Sequence, residues 1–217
     1  MDPLLPDECR VLGTLIEKAF TTPGQYPLSL NGLVTGVNQK NNRDPVVEID
    51  EDRALRAVDG LRARGLARDV SFTGSRVEKY RHTGGDGLGV RAPELAILAE
   101  MLLRGPQTVG ELRGRASRMQ PLESLEAVES LLAQLATRAE PLAPLVREIP
   151  PAPGSRAPRW MQLLCEDLHP VSLAAATTGS SSERAAVRAP SVDALAALEA
   201  RVTALESIVA DLRAMQT

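Results

Sequence analysis

The sequence predicts a mainly helical α+β chain with small β-hairpins. Two observations carry that reading: an order of three helices and a hairpin that occurs twice, and an unbroken heptad seam in the last 27 residues. At 217 residues the chain fits two ordinary domains and a tail better than one minimal core. Hydrophobic residues at 43% and charged residues at 24% are normal globular usage and exclude disorder throughout. Aromatics at 2% leave almost no material for a platform of stacked rings, which removes base-stacking and sugar-shelf modules.

Residues 1–83 are expected to form the first domain. Asp7 is placed to cap a helix whose apolar residues Val11, Leu12, Leu15, Ile16 and Ala19 recur at helical spacing, ended by Thr22-Pro23-Gly24. Tyr26-Pro27-Leu28 is extended, and Ser29 caps a short second helix through Leu33 and Val37. Asp50 caps a third helix that stops at Gly65, a good left-handed C-terminal position. Leu66 to Phe72, a Gly74-Ser75 turn and Val77 to Arg81 then read as a hairpin. Three helices followed by a hairpin is the winged-helix order.

Thr83 to Gly89 holds four glycines, and residues 84–89 read as a hinge. Residues 90–170 repeat the element order. Pro93 opens a helix with Leu95, Leu98 and Leu102 on one face, stopped by Gly105-Pro106. Thr108 and Glu111 form a capping box. A third helix runs through Leu122, Leu125, Val128 and Leu132, and Leu145 to Ile149 with Arg159 to Leu164 make a second hairpin. Residues 171–190 are an Ala/Ser/Thr/Gly-rich linker. In residues 191–217, Leu195, Leu198, Val202, Leu205, Val209 and Leu212 alternate spacings of three and four, the seam of a coiled coil. The expected architecture is therefore two tandem winged-helix domains followed by a coiled-coil helix that makes a homodimer; the alternative for the tail is one amphipathic helix packed back on its own domains.

The stretches Leu12-Gly13-Thr14-Leu15-Ile16-Glu17-Lys18, Tyr26-Pro27-Leu28-Ser29-Leu30-Asn31, Asn38-Gln39-Lys40-Asn41-Asn42-Arg43-Asp44-Pro45, Val77-Glu78-Lys79-Tyr80 and Leu103-Arg104-Gly105-Pro106-Gln107-Thr108 closely resemble the bacterial YceH family over roughly residues 4 to 167. That resemblance implies tandem winged-helix domains and brings no established reaction or ligand. The chain departs from the expected pattern in Gly32 and Gly36, where alanine would be commoner, and in its glycine-rich hinge.

The net charge is −3, and residues 1–83 hold 12 basic and 12 acidic side chains, so any nucleic-acid binding must come from a local patch. On the helix 50 to 64, Leu55, Val58 and Leu61 are expected to be buried, with Arg53, Arg56, Gly60 and Arg64 nearly opposite. A winged helix places that element in the major groove, where arginine pairs with guanine or clamps phosphate. Lys40 and Arg43 in the preceding loop, and Arg76, Lys79 and Arg81 on the wing, are further candidates for weak, salt-sensitive contact with double-stranded DNA. Against this, Glu51, Asp52 and Asp59 flank the arginine stripe and can neutralise it. Glu123, Glu126 and Glu129 make the corresponding helix of the second domain repellent to phosphate, so that domain is expected to contact protein.

Catalysis is not expected. His82 and His169 are far apart, no metal-ligand spacing exists, and Gly85 to Gly89 lacks the G-x-G-x-x-G spacing of a dinucleotide loop. Cys9 and Cys165, 156 positions apart, read as packed free thiols. No apolar run approaches a membrane span, and Met1 to Pro6 carries no secretion signal, so a cytoplasmic location is expected. No cofactor or small-molecule ligand is indicated. The two readings that follow are a winged-helix DNA-binding protein, acting as a regulator, and an interaction scaffold that binds no nucleic acid.

Overall fold

A computed structural model describes residues 2–71, 74, 77–152 and 154–169, which fold as an α+β structure with seven α-helices and two small antiparallel sheets. The predicted coiled-coil positions from Leu195 to Leu212, the linker and Arg76 lie outside the described residues.

The first helix, α1 (Pro6–Thr21), starts two residues earlier than a cap at Asp7 would place it. Pro6 takes the first helical position, where its missing N–H costs nothing, and Glu8 accepts a 2.8 Å hydrogen bond from Leu5 N. Asp7 is thus a first-turn residue and not the cap. From Glu8 to Glu17 every position of α1 is buried, which makes it the central helix.

β1 (Leu28–Ser29) leads into α2 (Leu30–Val37), capped by the Ser29 hydroxyl accepting from Gly32 N at 3.2 Å. α3 (Glu51–Ala63) is capped by Asp50, which accepts from Arg53 N at 2.8 Å. β2 (Ala67–Val70) and β3 (Lys79–His82) complete a three-stranded antiparallel sheet in the order β1-β3-β2, with Arg68 opposite Arg81 and Leu28 opposite Tyr80.

Residues 84–88, expected as part of a hinge, form α4 (Gly84–Leu88). Leu88 is buried, the Thr83 amide donates to Leu66 O, and a Cβ on Gly87 would stand 2.7 Å from the Gly65 carbonyl oxygen. The glycines here permit close packing; they do not free the backbone.

α5 (Ala92–Arg104), α6 (Val109–Ala116) and α7 (Leu125–Ala136) follow, then the hairpin β4 (Val146–Ile149) and β5 (Arg159–Gln162). The Thr108–Glu111 capping box is formed. Gln107 bridges to Trp160 as Leu28 does to Tyr80, so the second half repeats the element order of the first down to its first strand.

The two halves share one core within a compact unit, residues 1–173. α1 packs along α5 with Gly13 in the contact, where a Cβ would meet Leu102 and Leu103 at 3.1 Å. Leu12, Leu15 and Ile16 of α1 and Ile97, Leu98, Met101 and Leu102 of α5 are inaccessible to solvent, each contributing roughly 1.5–3 kcal/mol of burial.

Candidate functional site

The face of α3 expected to read DNA is turned 40 to 60 degrees from where leucine spacing places it, as the angles of successive residues at 100 degrees each require. Ala54, Ala57, Val58 and Leu61 are buried, while Leu55 is 37% exposed. Small alanines let α3 approach α1, and Leu55 is displaced to solvent.

This rotation brings Arg53, Gly60 and Arg64 alongside the first turn of α1. Arg53 makes a bidentate pair with Asp7, Nε to Oδ2 at 3.0 Å and Nη2 to Oδ1 at 2.9 Å, and donates through Nη1 to Glu48 O at 2.8 Å. The Asp7 partnership raises the Arg53 pKa above its ordinary value. The buried Glu8 carboxylate lies over Gly60 and 3.5 Å from Arg64. Two of the three expected arginines are therefore engaged by carboxylates of the chain itself. Arg56 is exposed, but it shares the outer face with Asp52, Leu55 and Asp59, and Arg62 there is paired with Asp59 at 3.0 Å and Asp69 at 2.8 Å.

Arg43 is buried and cannot reach a groove. Its Nη2 donates to Glu17 Oε2 at 2.6 Å and Gly36 O at 2.9 Å, and its Nη1 to Asn42 O at 2.9 Å. Lys40 is exposed in the loop before α3, and Lys79 is half-buried in the central strand, between Ser29 and Val70. The outer sheet face also presents the exposed pair Arg68 and Arg81, directly opposite each other.

Arg43 belongs to a buried ionic cluster where the two halves meet. Glu17 accepts from Arg43 and from Arg118, both at 2.6 Å. Glu100, fully buried in α5, pairs with Arg118 at 3.0 Å and Arg104 at 2.9 Å, and Arg104 also donates to Asn42. Arg10, inaccessible to solvent, donates to Leu103 O at 3.1 Å and Pro45 O at 2.6 Å. Three guanidinium groups thus face two carboxylates, and the fourth, Arg10, is satisfied by main-chain carbonyls. Burial and neighbouring Arg43 push Arg10 down to about 10. Burial alone would raise Glu17, but hydrogen bonds and charge from Arg43 and Arg118 outweigh it and hold the carboxylate below its ordinary range. Both Glu17 carboxylate oxygens are taken by guanidinium donors, so the cluster ties α1 to the loop before α3 and to the segment after α6.

The loop 38–50 is tied into the same junction. Asp44 N donates to Leu103 O at 2.8 Å, the His169 ring bonds Asp44 O, and the Asn38 side chain clamps Ile49 through two 2.8 Å bonds. Glu17, Glu100 and Arg118 are absent from the sequence-based site, although one signal was available: Glu100 sits inside the apolar run Leu95 to Leu103, where a solvent-facing charge has no room.

Among the described residues no group of three or more His, Cys, Asp or Glu converges as metal ligands, and no helix is long and apolar enough to cross a membrane. On α7 and its approach, Glu123, Glu126 and Glu129 are exposed, with Leu125 45% exposed among them.

Residues 4–155 match the family described as "Protein of unknown function, DUF480". A UPF0502 protein of Geotalea uraniireducens is 48% identical over 156 residues, 72% of this chain and 69% of its own. A UPF0502 protein of Hahella chejuensis is 42% identical over 203 residues, 92% of this chain and 89% of its own, and one of Acidovorax sp. is 41% identical over 215 residues, 98% and 90%. These matches agree with the resemblance to the YceH family seen in the motifs.

Proposed function

The chain belongs to the DUF480 family, and from that premise we propose that it is a non-catalytic interaction scaffold, in which two winged-helix units and a dimerising coiled coil make protein contacts without nucleic acid. One observation carries this reading: Asp7 and Glu8 of α1 occupy the arginine face of α3 that a major-groove reader needs. What α3 turns to solvent instead is Leu55 ringed by Asp52, Asp59, Arg56 and Arg62, an apolar centre with a charged rim of the kind protein partners use. The acidic surface around Leu125 favours the same partner class, because carboxylates repel a phosphate backbone.

Weak DNA binding is a second reading, favoured by the wing, where Arg81 is already a candidate from the sequence, and not by α3. Arg68 and Arg81 are exposed and directly opposed across β2 and β3, an arrangement that costs stability through like-charge repulsion and that a polyanion would relieve.

Titration of the full chain with mixed-sequence duplex DNA at two salt concentrations separates the readings. The scaffold reading expects no salt-sensitive binding, and no change in Arg53→Glu/Arg56→Glu. Salt-sensitive binding abolished by Arg68→Glu/Arg81→Glu would overturn it in favour of the second reading. Particle mass measured by light scattering with and without residues 190–217 tests the coiled coil; the proposal requires the mass per particle to fall by half.

A further inference from the structure

Two exposed surfaces of opposite sign lie on different halves of the chain, and the chain's own ion pairs neutralise neither. On the first half, Arg68 of β2 and Arg81 of β3 stand directly opposite each other on the outer face of the sheet, where like charges repel. The carboxylates that could cancel them are engaged elsewhere. Asp69, one residue along and therefore on the other face, pairs with Arg62 at 2.8 Å, and Glu78 accepts from the Tyr80 hydroxyl at 3.0 Å. Among the described residues neither Arg68 nor Arg81 is within ion-pair distance of a carboxylate.

On the second half, Leu125, Glu126, Glu129 and Ala133 of α7 are all exposed and fall within about 100 degrees of one another around the helix, with Glu123 exposed just before its Ser124 cap. The Glu123 carbonyl accepts from Arg113 Nη2 at 2.9 Å, but none of the three carboxylates is in an ion pair among the described residues. Leu125 belongs to this acidic face, and the exposed Val77 precedes β3, so each surface also carries an apolar side chain.

We propose that the outer face of β2 and β3 in one copy of the chain docks on α7 of a second copy, with Arg68 and Arg81 facing Glu126 and Glu129. The inference rests on the scaffold reading and names the partner as the chain itself. Charge complementarity selects this occupant. Guanidinium groups that repel each other on one surface meet carboxylates that repel each other on the other, and one contact relieves both. Under a two-fold axis the pairing is reciprocal, so both surfaces of both copies are used. Residues 191–217 do not suit α7, because they hold four acidic and two basic side chains and carry the same sign as the helix.

The test measures self-affinity of the full chain by fluorescence anisotropy, a trace of labelled chain being titrated with unlabelled chain at about 50 and about 500 mM sodium chloride. At low salt, Arg68→Glu/Arg81→Glu and Glu126→Arg/Glu129→Arg are each expected to self-associate at least about tenfold more weakly than wild type. Titrating one variant with the other brings each reversed surface onto its complement and is expected to recover wild-type affinity; the recovery itself shows that both variants fold. At high salt the four titrations should converge. Equal affinities at low salt, loss without recovery in the mixture, or loss in the arginine variant alone would each overturn the proposal, the last by assigning the arginine pair to another anion such as the DNA of the second reading. The coiled coil contributes equally to every titration, and its truncation is read at high salt, where this pairing is screened, so the two can fail separately.

Discussion

Glu8 and Gly60 are placed so that no side chain fits between them: a Cβ on Gly60 would stand 1.9 Å from Glu8 Oε1. That carboxylate is held in place by the Leu5 amide and by Arg64. In an ordinary helix Gly→Ala gains roughly 1 kcal/mol from propensity. Here Gly60→Ala is expected to lose about 1–3 kcal/mol, because the buried Glu8 must leave its partners or α1 must shift. Urea denaturation of Gly60→Ala measures it; a stabilised variant would show that Glu8 does not occupy this face.

The rotation of α3 makes two leucines unequal. Leu61 is inaccessible to solvent and Leu55 is 37% exposed. Leu61→Ala should cost about 2–5 kcal/mol and Leu55→Ala under about 1 kcal/mol, measured as paired denaturant midpoints. Equal losses would restore the leucine-defined face.

Removing the shared carboxylate of the ionic cluster leaves Arg43 and Arg118 without their common partner. Glu17→Gln should destabilise by about 3–5 kcal/mol in urea at neutral pH. Because the folded value of Glu17 lies below its free value of 4.5, its contribution is present above pH 4.5 and is lost as pH falls through the folded value. A stability profile in Glu17→Gln should therefore be flatter in that acid range than the wild type.

A second acid-sensitive window lies higher. Burial, with Arg81 beside it, pushes His82 from 6.5 down to about 4. An unfolded chain binds that proton more readily, so stability is full above pH 6.5 and declines as pH falls toward 4. His82→Gln should remove this component. A profile that stays level between those two values would contradict the half-buried, neutral imidazole. His169, also lowered by burial, acts in the same direction.

The packing of α1 on α5 predicts a single cooperative transition for the described unit. Differential scanning calorimetry should give matching calorimetric and van't Hoff enthalpies for residues 1–169. Gly13→Val, which forces a branched side chain against Leu102 and Leu103, should lower the midpoint without splitting the transition. Two resolved transitions would mean that the halves do not share a core.

Local chemistry was readable in the sequence and tertiary placement was not. Ser29, Asp50 and Thr108 cap helices where expected, because a cap needs only a short polar side chain and the amides that follow it. The phase of α3 is not legible in the sequence because hydrophobicity ranks Leu55 above Ala54 and Ala57, whereas close helix packing selects small residues. Residues 84–88 combine composition for freedom with composition for tight contact, and only the neighbouring Gly65 carbonyl distinguishes the two. Arg43 carried the chemistry of phosphate recognition, but its partner Glu17 is 26 positions away, at a separation that no local pattern reports.

Because α1 is covered by α5 as well as by its own half, with Gly13 against Leu102 and Leu103, a chain cleaved after residue 83 is expected to bare an apolar face of its central helix. It yields a sticky fragment, bound for aggregation or proteolysis. Gene-level shuffling of either half on its own would meet the same penalty, so the pair is constrained to be inherited as one piece.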